Sequence, residues 1–328
     1  MAVTRVGLAL ALGVVAAAGT PDTPERLIEA GHWKRARAVV EVRMRESPQD
    51  AESHFLLSQI QNAFGDRQSP LPLAEKALAL DSGTAKYHRQ VAEVLGVMAQ
   101  HAGMFQQLLL ARRFRKEIDA AIALDPRDTQ ALRDLLEFFL LAPGIAGGDV
   151  HKAEATAARI AAVDAAQGCL AEARLAAFQK QTPRSGEFYR NAVKAAPDQY
   201  RPHVTLAQFD LSASPPDLDE AEQQARAALA LDSERIDAYS ILAEVYSEKG
   251  QWSELEATLS RSAGAVPDDA APWYRAAVRL FSSRRDLPTA ERYLRIYLSQ
   301  QPEGNEPTAA EARSQLALIL QAEAREHP

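Results

Sequence analysis

The sequence predicts an all-α protein, an α-α superhelix of about eight stacked helical hairpins closed by a C-terminal capping helix. Three observations carry that expectation. In the stretch Ile236 to Asp269, apolar or small residues recur at helical spacing through Tyr239, Leu242, Ala243 and Tyr246, then through Leu255 and Leu259. Gly250 breaks this run and Pro267 closes it, so the stretch reads as two amphipathic helices around a tight turn. The stretch is 34 residues long, and units of about that length return along the chain. Finally, 47% of the residues are apolar, enough for a large core.

Tyr239, Leu242, Ala243, Tyr246, Gly250, Trp252 and Pro267 fall where the tetratricopeptide repeat (TPR) has its large, large, small, aromatic, turn, aromatic and terminal residues. The chain resembles that superfamily over nearly all of the mature sequence. The resemblance implies small sites that let helices approach and aromatic sites, Trp252 among them, that fill gaps between hairpins. It also implies a concave surface that faces a ligand.

The units can be justified in order. Residues 1–18 read as a signal peptide: Arg5 precedes an apolar run from Val6 to Ala18 that ends in small residues. Cleavage after Ala18 would place the mature chain outside the cytoplasm, periplasmic or secreted. The run falls short of the roughly 20 residues of a membrane span, so no stable span is expected after cleavage. The alternative is an ordinary N-terminal helix. Unit one, 17–50, keeps Gly31, Trp33, Ala36, Val40 and Pro48 but has Arg43 at a small site; signal cleavage would leave it frayed at its start. Unit two, 51–84, has Leu57, Ser58, Gly65, Ala74 and Ala77, with Pro70 and Pro72 delaying its second helix. Unit three, 85–129, has 45 residues, and its surplus around Gln100–Lys116 predicts two lengthened helices. In unit four, 130–165, the first helix ends near Leu141, and Asp149 can cap the second after a long glycine-rich turn. Unit five, 166–199, is degenerate, retaining Ala173, Phe178, Tyr189, Ala192 and Pro197. Unit six, 200–235, has Leu206, Ala207, Ala221, Ala225 and Ala228. Unit seven is 236–269, and unit eight, 270–304, has Trp273, Ala277, Leu280, Ala290, Leu294 and Pro302. In the C-terminal segment, 305–328, a helix from Pro307 should cover the open end with Leu316, Ile319 and Leu320.

Units three and four also resemble bacterial TPR proteins related to the regulator of microtubule dynamics family. The residues that carry this are Ala111-Arg112-Arg113-Phe114-Arg115, the Ala121 to Pro126 closure, and Ala142-Pro143-Gly144-Ile145 with Gly147-Gly148-Asp149.

Several function classes find no support. Formal charge is -7, from 37 Lys and Arg against 44 Asp and Glu, which argues against a nucleic-acid partner. Cys169 is the only cysteine, so no intrachain disulfide forms, and its neighbours suggest a packed helix face. No two of the seven histidines have helical metal-ligand spacing, so no metal site is expected. No nucleophile elbow occurs, and the glycines at 144, 147 and 148 match a turn better than a phosphate cradle. The carboxylates look scattered along solvated faces. Neither a cofactor nor an enzymatic activity is expected.

In TPR proteins the first helix of each repeat lines the concave groove, mostly through its second, fifth, ninth and twelfth places. Carried onto this sequence, those places are Phe55, Gln59, Asn62, Arg89, Glu93, Arg201, Gln208, Asp237, Ser240, Glu244 and Tyr274. Their mix of polar and aromatic types suits a protein or peptide partner. The expected function is therefore a non-enzymatic scaffold of the cell envelope. No Lys is followed four residues later by Asn, so the carboxylate clamp of chaperone-binding TPR domains is not expected. The alternative is a lipid or apolar-ligand binder. Its candidates are Leu95, Met98, Met104, Phe105 and Leu109, in the enlarged unit three, and some relatives in the resembling branch are thought to hold lipid.

Overall fold

The computed structural model describes residues 23–304 and 307–326. The signal-peptide reading of residues 1–18 lies outside them. Among the described residues there are seventeen α-helices and no strand. They run α1 Pro24–Ala30, α2 Trp33–Glu46, α3 Ala51–Ala63, α4 Pro70–Leu80, α5 Ala85–Gln100 and α6 Met104–Leu124. Next come α7 Thr129–Leu141, α8 Val150–Val163, α9 Ala165–Phe178, α10 Thr182–Ala195, α11 Tyr200–Ser212 and α12 Leu218–Leu231. The last are α13 Ile236–Lys249, α14 Trp252–Ala265, α15 Ala271–Ser282, α16 Leu287–Leu298 and α17 Ala309–Glu326.

Each helix packs on its neighbours in sequence, and the first helices of successive hairpins also touch, α3 on α5, α7 on α9, α11 on α13 and α13 on α15. This is the all-α superhelix of helical hairpins that the periodicity predicts. Aspartates start many of the helices: Asp50, Asp128, Asp149, Asp164, Asp217 and Asp286 each accept a hydrogen bond from a first-turn backbone N–H. The small sites are closed contacts, with Ala207, Ala243 and Ala277 fully buried. Tyr239, Tyr293 and Tyr297 are the bulkiest of the fully buried side chains. Unit three does lengthen: α6, with 21 residues, is the longest described helix.

The long turn of unit four is a 3-10 turn, Gly144–Ala146, followed by Gly147 in the left-handed region at φ 106°. Gly148 sits against the Ala142 carbonyl so closely that a Cβ would lie 1.8 Å from its oxygen. These glycines are needed by the turn itself.

Three expectations need correction. Trp252 opens α14 with 44% of its surface exposed, so it fills no gap between hairpins. Leu320 faces water, and α17 covers the end of the stack with Ala312, Leu316 and Ile319 instead. Cys169 is half-buried, not fully packed; burial and the nearby Glu172 carboxylate raise its thiol pKa, which keeps the thiolate scarce. In the described part of unit one, Thr23 caps α1 and Leu27 is buried; the expected frayed start at residues 19–22 lies outside the described residues.

Candidate functional site

Hairpin stacking points the polar side of the first helices at one shared space. On α5, Arg89 lies 3.8 Å from the Glu93 carboxylate and 3.6 Å from Asp128 at the start of α7. Asn62 Nδ2, on α3, donates to Glu93 Oε1 at 3.4 Å. Arg133 and Asp134 follow on α7, Arg201 on α11, Arg235 and Asp237 at the start of α13, and Arg275 on α15. Glu244 on α13 accepts from Arg279 Nη2 on α15 at 3.1 Å. Arg235 lies over the Tyr200 ring, 4.1 Å from its centroid. The result is a ladder of alternating charge along the inner face.

The ladder is incompletely satisfied. Arg89 Nε and Nη1, Asp134 Oδ2 and Arg235 Nε are buried atoms that find no hydrogen-bond partner. Among the described residues, Arg133, Arg201, Arg235 and Arg275 sit in no ion pair. Burial pushes Arg201 and four of the carboxylates, Glu93, Asp134, Asp237 and Glu244, towards neutrality. Burial, then the Glu93 charge, raises Asp134 to about 7. Burial also raises Glu93, Asp237 and Glu244, against the pull of neighbouring arginines. Burial, then repulsion from Arg133 and Arg235, lowers Arg201 to about 10. Thus Glu93 and Asp134 are not the solvated-face carboxylates the sequence suggested. The Glu93 side chain retains 36% exposure to the groove, although protein encloses the groove around it.

The superhelix curls back on itself, which the sequence did not show. The Lys34 backbone N–H donates to Glu303 Oε1 at 2.6 Å, and its ammonium lies 3.2 Å from Glu303 Oε2. The same ammonium donates to the Gln301 carbonyl at 2.9 Å and to the Asp268 carbonyl. Arg35 grips the Asp268 carboxylate with two parallel bonds of 2.9 and 2.6 Å. The start of α2 is thereby fastened to the turns after α14 and α16. The closure bounds a polar cavity of about 650 Å³, where α1 faces α11, α13 and α15. A second cavity of about 770 Å³ lies beside Trp33, Asn62, Met98 and Gly304.

Five of the eleven groove candidates line these two cavities. Gln208, Asp237, Ser240 and Glu244 line the first cavity, and Asn62 the second. Arg89 and Glu93 pair with each other and Gln59 is partly buried; Arg201 keeps a solvent-accessible side chain in the groove, although the surrounding protein partly desolvates its guanidinium. Phe55 and Tyr274 are corrections. Phe55 is 5% exposed and packs in a cluster with Leu27 and Tyr87. Tyr274 is 8% exposed and packs on Tyr297, ring centroids 5.2 Å apart. For Tyr274 the cause is a shift of register. Helix α15 begins at Ala271, one residue after the predicted unit start, so Arg275 and Arg279 take the fifth and ninth places. Tyr274 then matches Tyr239, a core position. The fifth place of unit four, read with the same rule, would have found Asp134. Lys34, Arg35, Asp268 and Glu303 gave no local signal.

The apolar candidates divide. Leu95 and Met104 line an apolar cleft of about 440 Å³ between α5, α6 and the turn after α7, together with Leu108, Phe114, Phe138 and Leu141. Phe114 and Phe138 stack at its floor, 5.2 Å apart and 10° from parallel. Met98 lines the second cavity instead, and Phe105 and Leu109 point to solvent. Among the described residues no group of three or more His, Cys, Asp and Glu side chains could hold a metal ion.

No family model and no curated protein sequence matches the chain. Solved structures do. A thermophilic TPR protein of Thermus thermophilus, TTC0263, superposes with TM-score 0.51 at 19% identity, over 57% of this chain and 94% of that one. Yeast Tom70 superposes with TM-score 0.59 at 14% identity, over 93% of this chain but 61% of Tom70's own. Both likenesses speak to architecture alone, and they agree with the stacked helical hairpins: the chain has the tetratricopeptide-repeat superhelix fold.

Proposed function

We infer that this protein is a non-enzymatic scaffold or adaptor that holds a protein or peptide partner in its enclosed groove. The fold neighbours support a helical-repeat scaffold for protein interaction in general. The observation that carries the finer reading is the set of unpaired arginines and destabilised carboxylates on the inner face. Groups held away from their preferred charge gain most from a ligand that supplies the missing partner. An extended segment with alternating acidic and basic side chains fits the ladder from Arg89 to Arg279. Arg5 and the apolar run Val6–Ala18 support a place outside the cytoplasm, in the periplasm or secreted.

Affinity capture from the source cell, with Arg89→Glu combined with Glu244→Arg as control, tests the groove. The wild type should retain a protein that the double variant loses. Equal capture by both would remove the groove from the proposal. Cell fractionation tests the location.

The apolar cleft favours a second reading, an aliphatic ligand held beside Phe114 and Phe138. The likeness of Ala111–Arg115 and Ala142–Asp149 to the regulator of microtubule dynamics branch supports it. Mass spectrometry of the purified protein should then find a co-purifying lipid that Leu108→Gln abolishes.

A further inference from the structure

Exposed large apolar side chains are not spread evenly over the surface. The five most exposed among the described residues are Phe105 at 85%, Ile145 at 77%, Met104 at 71%, Leu109 at 65% and Leu141 at 61%. The next, Leu124, is at 47%. All five lie in one place, the edge of the stack formed by the start of α6 and the turn after α7. Met104, Leu141 and Ile145 share the mouth of the apolar cleft, and Phe105 and Leu109 continue the patch along the outer side of α6. A clustered apolar patch of this kind marks a contact surface, where scattered single residues would not.

Charge says what the contact is with. The chain carries a formal -7, yet Val94 to Lys116 contains no Asp or Glu. Four cations close that segment: Arg112, Arg113, Arg115 and Lys116. Arg113 pairs with Glu75, and Arg115 with Asp119. Arg112 and Lys116 are exposed and sit in no ion pair among the described residues. Phe105, Leu109, Arg112 and Lys116 follow four-, three- and four-residue steps, which sets them on one helix face. At the helical rise, Arg112 stands about 10 Å behind Phe105 along the axis. That matches the depth between the acyl boundary and the phosphates of a bilayer. The turn after α7 adds Leu141 to Gly148, eight residues without a charge.

The geometry points to this tip as a peripheral membrane-contact surface for anionic phospholipid. Phe105, Met104, Leu109 and Ile145 enter the interface, and Arg112 and Lys116 hold the phosphate headgroups. No described helix is long and apolar enough to cross a membrane, so the contact is by insertion of a tip, not by a span. This surface lies outside the polar groove, and its role depends neither on the groove's partner nor on a ligand in the cleft.

The test is flotation of the full chain with vesicles of phosphatidylcholine alone and of phosphatidylcholine mixed with phosphatidylglycerol. The wild type should float with the mixed vesicles, less so in high salt, and stay behind with the neutral ones. Phe105→Ser with Leu109→Ser, and separately Arg112→Glu with Lys116→Glu, should each lower the bound fraction about tenfold. These side chains are exposed, so unchanged circular dichroism and melting are expected for both pairs. The Arg89→Glu, Glu244→Arg variant should float like the wild type, which separates this proposal from the groove. Wild type that stays in solution with mixed vesicles overturns the proposal, as does undiminished flotation of both pairs. Dimerisation or protein capture lost with Phe105→Ser and Leu109→Ser, without flotation, would assign the patch to a protein contact and overturn it too.

Discussion

Arg35 and Asp268 stand 233 positions apart in sequence yet form a two-bonded ion pair, at 2.9 and 2.6 Å. With Lys34 and Glu303 they fasten the first hairpin to the seventh and eighth. Both side chains keep about a third of their surface in water, 37% and 28%, so the pair is screened and its contribution modest.

Arg35→Ala or Asp268→Ala should therefore lower stability by only about 1–2 kcal/mol. The radius of gyration should grow slightly in small-angle scattering, because one of the contacts that hold the stack closed is gone while Lys34 still binds Glu303. The double variant should be no worse than either single one.

The same pair sets a pH dependence. Burial acts to raise the Asp268 carboxyl, but hydrogen bonds from Arg35 outweigh it and hold the group below its usual range. A depressed folded value gives stability that is present above the unfolded value of about 3.9 and lost as pH falls through the folded one. Below about pH 4 the wild type should lose stability faster than Asp268→Asn, measured by urea melts across pH.

Asp134 has the opposite sign. Burial, then Glu93, raises it to about 7. Its stabilising contribution is complete below the unfolded value and is lost as pH rises through the folded value. Asp134→Asn should gain about 1–2 kcal/mol at pH 8, the full shift being discounted because the groove admits water. The gain should shrink towards pH 4.

Packing separates two large aromatic residues of the same unit. Tyr239 is buried, and its hydroxyl donates to the Ser233 carbonyl at 3.2 Å, so Tyr239→Ala should cost about 3–5 kcal/mol. Trp252 is largely open, so Trp252→Ala should cost under about 1 kcal/mol.

At the turn before α8, Gly148→Ala would drive a methyl into the Ala142 carbonyl and should cost about 2 kcal/mol or more. Gly103→Ala, where a Cβ meets nothing within 4 Å, is the control and should lie within about 0.5 kcal/mol of wild type. Thermal melts of the two variants check both.

The hairpins were legible because their causes are local. Ala243, Gly250 and Asp149 are each explained by neighbours within one or two turns of chain. Groove residues were legible where the repeat keeps its length, as at Asp237, Ser240 and Glu244. They were missed where one residue of drift moved the register, exchanging Tyr274 for Arg275. Leu320 and Trp252 were misjudged because helical periodicity fixes a side, not how far the neighbouring helix extends over it. The fastening of Lys34 and Arg35 was illegible for a different reason. It depends on the summed rotation of seven hairpins, to which every turn contributes.

A curled stack also decides how anything gets in. Because the first hairpin faces the helices of the last ones, a folded domain cannot settle sideways into the channel. A loose terminus can thread it, or the Arg35–Asp268 fastening must let go before the walls part. Exchange of a bound segment would then be slow in both directions, and releasing that fastening would change residence time more than affinity.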